Sequence, residues 1–430
     1  MIERYKSYLS DSSFPILVLS YSLLMVHYVF SRAFRDSLPG SHISVSELPW
    51  LTVLGTLLAI TLSLICTFFL RSSARIQAIR IFYLVNAVVE VLIALRYQAH
   101  TWMFEAYYIE VSASTAIGLS LVWVLIGDWT SNCNAGNTNR VPSVLISGTS
   151  AGMFAGFGLV YLPAASDFRS SLLLLAALDL GVFVLLLGHI DGSCRHSGKK
   201  QFDEFAKAGS HWSSGVARTL AIVTVLGAAT STLLDLIFRV NVAQHFTTQS
   251  ARVQFMGSMQ SFFCLGALLS QFAVRRLEGS RWAKLCLTLY PATMVVASLG
   301  CSFLPVFRVF EYLRIGEYSL RNSVSRCGIE MVYAAMPDKL RIEVRPLVDV
   351  VGERVGDMSA AGLLQLFLVG NGIVNARYSL FVLASLGAVL WVVSEWLLRR
   401  VNRMQAAAAE NAEDNPLPLQ KLAREGAVLA

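Results

Sequence analysis

The chain has 430 residues, of which 55% are hydrophobic and only 15% charged, where a soluble globular domain carries about a quarter charged residues. That balance excludes a soluble globular fold and points to a polytopic membrane protein. The net charge of +7 is carried by Lys and Arg in the loops, as shown below, and is no sign of nucleic-acid binding.

Twelve apolar spans are predicted, at 14–36, 47–70, 78–98, 104–127, 141–163, 170–190, 216–239, 251–274, 282–302, 304–320, 346–374 and 378–398. Most approach the ~20 apolar residues that a helix needs to cross the hydrocarbon. Runs of this kind argue for helices, because every backbone amide must be satisfied inside lipid. No alternation of the outer-membrane barrel kind is present. The fold class expected is therefore an all-α polytopic membrane protein.

The first span runs directly into Arg32-Ala33-Phe34-Arg35-Asp36 with no small-residue cleavage site, so it reads as a retained helix. Arg32, Arg35 and Asp36 stand three and four apart and share one helix face. A guanidinium offers a planar fork to phosphate or carboxylate and stays charged. On the fourth span Glu105 lies near one end and Glu110 about two turns inside. A lone intramembrane carboxylate pairs with a base or carries a proton, and pairing of Glu110 with Arg32 or Arg35 is the expected resolution. The fifth span lines up Gly148, Gly152, Gly156 and Gly158, a small-residue face that allows close packing or a rocking contact.

A polar stretch at 191–215, with a short surface helix expected over Phe202 to Lys207, divides the chain. It separates an N-terminal six-helix half (1–190) from a C-terminal half (216–400), leaving an Ala-rich, then polar tail (401–430) expected to be a frayed helix and disordered end. On the seventh span Asp235 and Arg239 form an i, i+4 pair, acid before base, a salt bridge that could also serve as a gate. The tenth span is short and carries Arg308, Glu311, Arg314 and Glu317, two i, i+3 pairs on nearly the same face, which reads as cavity lining. Two six-helix halves on a polar linker match the major-facilitator architecture, whose halves rock about a midplane site. A faint repeat agrees: His27–Leu38 and Leu233–Phe246 both place charges near the same end of the first helix of a half.

Most intramembrane charges thus fall on spans one, four, seven and ten. A charge at that depth needs a polar cavity or a partner, so one helix of each three-helix unit is expected to line a common route. The Arg-rich set of Arg32, Arg35, Arg239 and Arg314, with Glu110 and Asp235, points to an anionic small-molecule substrate. Asp36, Arg308, Glu311 and Glu317 are read as gating or charge-pairing residues. Loop Lys and Arg fall on the side of both termini (Arg71, Arg75, Lys199, Arg276, Lys339, Arg399), which places both ends in the cytoplasm. The seven cysteines are scattered and odd in number, a packing pattern without metal or disulfide spacing. No phosphate loop, His-Glu-x-x-His or nucleophile elbow occurs, so neither enzyme activity nor a cofactor or metal is expected. His27 and His189 are assigned no role.

Three patches carry a resemblance: Tyr318-Ser319-Leu320, then Glu330-Met331 with Tyr333, then Asp349-Val350-Val351-Gly352 with Arg354. Together with Tyr28, Arg32, Arg35 and Asp36, and with Phe255-Met256-Gly257, they resemble the ATP:ADP antiporter family, the nucleotide transporters of plastids and obligate intracellular bacteria. There, Tyr-Ser-Leu leads to Lys-Glu-Met-Ala-Tyr, then Asp-Val-Val-Gly and an Arg. The chain departs from that pattern in several places. Arg35 stands for the family's Lys, Asp235 and Arg239 for Glu and Lys, Glu110 begins Glu-Val-Ser-Ala-Ser, and Arg321-Asn322-Ser323 replaces Asp-Pro-Thr-Lys. The resemblance implies ATP/ADP-type exchange by alternating access, with nucleotide and lipid bilayer as partners and no nucleic acid. A proton-coupled carrier of another organic anion, with Glu110 as proton site, and a transport-inactive sensor or assembly protein are the alternatives. With no transit-like N-terminus before the first span, a bacterial inner membrane is the expected location.

Overall fold

Apolar side chains make up most of each predicted span, and each of the twelve is helical over its described residues in the computed structural model, which describes residues 13–70, 75–98, 100–132, 141–159, 167–187, 215–275, 280–303, 307–334, 336, 344, 347–371 and 376–414. The N-terminal half comprises α1 (Ser13–Ser37), α2 (Leu48–Leu70), α3 (Arg75–Arg96), α4 (Trp102–Asn132), α5 (Val141–Leu159) and α6 (Phe168–Leu187). The C-terminal half opens with α7 (Gly215–His245), α8 (Gln249–Arg275) and α9 (Ser280–Phe303). The tenth span starts as α10 (Phe307–Ser319), passes through a π-helical turn (Leu320–Ser325) and continues as α11 (Arg326–Ala334). A second π-helical turn (Leu347–Gly352) leads into α12 (Glu353–Asn371), and α13 (Ala376–Asp414) ends the described chain.

The tenth span therefore extends well past the predicted end at 320, to Ala334. Polar residues ended the apolar run in the sequence, but here they face other helices, which satisfy them, so the helix need not stop. Helix α7 likewise runs on to His245. The linker, apart from Gly215 at the start of α7, and the tail beyond Asp414 lie outside the described residues. Among the described helices seven are long and apolar enough to cross a membrane by length and composition alone; the charged α10 is not among them.

Packing repeats across the two halves. Helix α1 lies against α4, α5 and α6, and α7, six spans on, lies against α10, α12 and α13. The pairs α3–α6 and α2–α4 correspond in the same way to α9–α13 and α8–α10. Between the halves α2 packs on α12 and α5 on α8, with α8 also reaching α1. This arrangement puts the first and fourth spans of each half at the centre.

The α5–α8 contact is close because both helices present glycine. A Cβ on Gly156 would lie 2.6 Å from the Gly257 carbonyl oxygen and would collide with Ser261 Oγ. Ser261 Oγ donates to the Met153 carbonyl across the same contact, at 2.9 Å. The glycine face of α5 thus serves two neighbours: Gly148 and Gly152 meet α1, Gly156 meets α8, and Gly158 has open space beside it.

The halves also meet at the end where α1 gives way to α2. Gly40 has φ 77°, the left-handed region that favours glycine, and a Cβ there would stand 3.0 Å from that of Ala243. The turn it makes turns carbonyls toward Arg252 of α8, whose guanidinium donates to Pro39 O (2.9 Å), Gly40 O (3.3 Å), Phe246 O (2.8 Å) and Ala243 O (3.4 Å). His42 Nε2 and Gln249 Oε1, at 2.9 Å, add a second link.

Candidate functional site

The charges of α1, α7 and α10 form one alternating chain that crosses between the halves. Arg35 Nε donates to Asp36 Oδ1 at 2.8 Å. The same carboxylate faces Arg239 Nη2 of α7 at 3.2 Å. Arg239 pairs with Asp235 one turn earlier, and Asp235 Oδ1 accepts from Arg314 Nη2 of α10 at 2.6 Å. Arg314 closes on Glu317, whose Oε1 also accepts from Tyr290 at 3.3 Å. Three guanidinium groups and three carboxylates alternate, so each buried charge has an opposite neighbour, the condition for keeping ions out of water.

Helix α4 enters this chain through Tyr108. Its hydroxyl accepts from Arg239 Nη1 at 2.5 Å, and its ring lies under both Arg35 (5.5 Å) and Arg239 (5.8 Å). Arg314 lies over the Phe263 ring of α8 at 5.5 Å. Cation–aromatic contacts of this kind strengthen as water is removed.

Arg32 stands apart from the chain. Its Nη1 donates to Tyr28 OH at 2.5 Å, and it makes no ion pair among the described residues. Its Nε, and those of Arg239 and Arg314, are buried without an acceptor. The site therefore presents an excess guanidinium and several unused donors, a surface suited to an anion rich in oxygen acceptors.

Other predicted residues fall differently. Arg308 and Glu311 pair at 2.8 Å, but the Arg308 side chain is 71% exposed, so this pair lies outside the buried chain. Glu110 corrects the expectation that it would pair with Arg32 or Arg35. It makes no ion pair among the described residues, and neither of its buried carboxylate oxygens has a hydrogen-bond partner. The reason is positional: Arg35 is already held by Asp36 and by Ser112 Oγ at 3.3 Å, while the charged groups that act on Glu110 are Glu90 of α3, His27 of α1 and Asp179 of α6.

These are residues that sequence reasoning left aside. His27 Nε2 lies 2.9 Å from Glu90 Oε1 and 3.7 Å from Asp179 Oδ1, and Asn86 donates to Asp179. Glu90 and Asp179 are single carboxylates inside long apolar runs of spans three and six. The cost of such charges is the signal that marks them, although they fall outside the three-span periodicity of the other charges.

The resemblance patches also converge. Asp349, in the second π-helical turn, accepts both arms of Arg326 (3.1 and 2.8 Å) and the Tyr333 hydroxyl (3.0 Å). Glu330 approaches the same Arg326 at 3.1 Å, and Arg354 pairs with Asp357 at 2.9 Å. Asp349 thus ties the eleventh span to the long tenth one through Arg326 and Tyr333, whereas Arg354–Asp357 and Arg326–Glu330 are pairs within single helices.

No protein-family profile and no curated protein matches the chain significantly. Solved structures do. The chain is similar to the nucleoside transporter NupG, with TM-score 0.65 at 13% identity, over 89% of this chain and 98% of that one. It is similar to the POT family transporter PepTSo, with TM-score 0.64 at 10% identity over 91% and 98% of the two chains. It is also similar to a bacterial homologue of the human lysosomal transporter Spinster, with TM-score 0.60 at 13% identity over 90% and 97%. At such identities the likeness concerns the fold: the chain is an all-α integral membrane protein of twelve spans in two six-helix halves, with the major-facilitator-like architecture of these proteins.

Proposed function

We propose that the protein is a secondary transporter, not an enzyme, that moves an anionic small molecule of the nucleotide class across a membrane by alternating access. The observation that carries this reading is the chain from Arg35 through Asp36, Arg239, Asp235 and Arg314 to Glu317, which ties the two halves together at their centre. An anion can replace a carboxylate as the partner of an arginine. Binding would then loosen one inter-half link and supply another, and rocking of the halves would follow from this exchange of partners. The extra guanidinium of Arg32 supplies the initial attraction.

The nucleotide assignment is supported by the family resemblance and by a fold like that of a nucleoside transporter. Arg32, Arg35, Arg239 and Arg314 are taken as substrate-binding, with Asp235 as their internal competitor. Asp36 and Glu317 are taken as charge-pairing residues. A bacterial inner membrane with both termini cytoplasmic is the location proposed, from the distribution of loop Lys and Arg.

The test is uptake of labelled ATP into proteoliposomes preloaded with ADP, against empty vesicles. Uptake that depends on internal ADP is the expected result. Absence of uptake in both, with folded protein, sinks the nucleotide assignment. A proton-coupled carrier of an organic anion is the second reading, favoured by the histidine–carboxylate cluster of the N-terminal half.

A further inference from the structure

Two carboxylates, Glu90 of α3 and Asp179 of α6, lie 2.9 and 3.7 Å from one imidazole, His27 of α1, and a third, Glu110 of α4, lies within reach of their charges. Glu90 is 0% exposed, Asp179 1% and His27 3%, and the Glu110 oxygens are buried. Even with His27 protonated, three negative charges face one positive charge. Holding the excess charge in a dry helix bundle costs several kcal/mol per ion.

Among the described residues the neighbouring helices supply no neutralising cation. Arg35, on the same helix as His27, is held by Asp36. Helix α5 carries no titratable side chain, α8 brings Cys264 to the Tyr21 and Arg32 side of α1, and α7 directs its charges at Asp36. Facing the cluster itself are Tyr83 of α3 and Tyr107 of α4, both hydroxyls, with the Asn86 amide. Among the described residues the second Glu90 oxygen, Asp179 Oδ1 and both Glu110 oxygens have no hydrogen-bond partner at standard geometry. The Ser114 hydroxyl, one turn on along α4, faces Glu110; a single neutral hydroxyl does not balance three carboxylates, and a proton placed on one of the carboxyls removes a charge and supplies a donor.

We infer that His27, Glu90, Asp179 and Glu110 form a proton-binding site in the N-terminal half, holding at least one exchangeable proton on a carboxyl group. The site lies on the same helix as Arg32 and Arg35. Tyr107, beside it, donates to the Ser31 carbonyl at 3.3 Å, next to Arg32, so a change in protonation adjoins the anion-binding face of α1. A link between proton movement and substrate movement follows; this link, though not the site, rests on the transport reading.

The experiment is infrared spectroscopy of the full-length protein in lipid nanodiscs, titrated through the neutral range. The wild type is expected to show a carboxylic-acid C=O band at neutral pH that disappears as pH rises. Glu90→Gln, Asp179→Asn and Glu110→Gln, each of nearly unchanged shape, are expected to remove or shift it. A wild-type spectrum with no such band overturns the inference whatever the variants do, as does a band that all three folded variants leave unchanged. A stoichiometric divalent metal in the purified protein, lost in His27→Gln, also overturns it in favour of a metal site. The effect of an imposed pH gradient on labelled ATP uptake into ADP-loaded vesicles tests the link: the gradient is expected to change the rate in the wild type and not in Asp179→Asn, and an unaffected wild type overturns the link. If ATP enters neither with nor without the gradient the nucleotide reading fails, and the infrared band still decides the site.

Discussion

Asp235 is shared by two arginines from different helices, and the cost of losing it follows from what it leaves behind. Asp235→Asn strands Arg239 and Arg314 with half their neutralisation in a buried setting, a loss of about 3–5 kcal/mol for a broken buried pair. The thermal unfolding midpoint in detergent should fall markedly. Replacing Arg239 with Gln as well should recover part of the loss, because Arg35–Asp36 and Arg314–Glu317 then remain as self-contained pairs. An equal or larger fall in the double variant would contradict the alternating chain. Tyr108→Phe removes one acceptor from Arg239 and should cost about 1.5–3 kcal/mol, the worth of a hydrogen bond to a charged group, in the same assay. At this scale the sequence identified which residues are charged at depth, since such charges are costly wherever they occur. It could expose pairs only within one helix, Asp235 with Arg239 or Arg314 with Glu317. The links from Asp36 to Arg239 and from Asp235 to Arg314 join residues far apart in the chain, and no spacing rule reaches them. Glu110 shows the converse: its burial was legible, but its neighbours were not, since Glu90 and Asp179 come from other helices.

Helices rather than residues set how closely the halves approach. On α5 the added Cβ of a substituted Gly156 meets the Gly257 carbonyl and Ser261 Oγ, whereas Gly158 has nothing among the described residues within 4 Å. Gly156→Val should therefore destabilise by about 1–3 kcal/mol, the usual range for overpacking, and, on the proposed reading, slow uptake. Gly158→Val should be close to neutral in both thermal unfolding and uptake. Similar losses for the two would show that the α5–α8 contact is looser than described. The glycine face itself was plain from its four-residue spacing, but which glycine met which helix was not. The length of the tenth span was harder to read. Its polar residues from Arg321 to Glu330 end the apolar signal, yet they lie along a helix whose partners, Ser231 for Arg321 and Asp349 for Arg326, supply what water would otherwise provide. Hydropathy measures affinity for lipid and is blind to a helix that faces protein.

Across the whole molecule, the end at which Arg252 binds the Pro39 and Gly40 carbonyls is closed by contacts between the halves. Arg252→Ala removes the bonds to four carbonyls at once and should favour the state open at that end. Spin labels at Ser41 and Thr247, both exposed, should show a longer mean separation in the variant; an unchanged distance distribution would mean that the apolar contacts alone hold the closure. The twelve-span division into halves was legible because it depends on composition summed over long runs, where single substitutions matter little. The closed end was not, because it depends on backbone carbonyls, which every sequence has.

The alternating chain has one more consequence, which concerns valence. Equal numbers of arginines and carboxylates leave it neutral, so a ligand gains an arginine only by outbidding a carboxylate for it. A neutral nucleoside has nothing to bid with, and a single phosphate can displace one partner at most. A di- or triphosphate can displace several at once and take up Arg32 as well. On the proposed reading the site therefore selects by the number of charges a molecule carries before it selects by the base: binding should strengthen from adenosine through AMP to ADP and ATP. Equal affinities across that series, measured by equilibrium titration, would mean that the chain holds the halves together without weighing what passes between them.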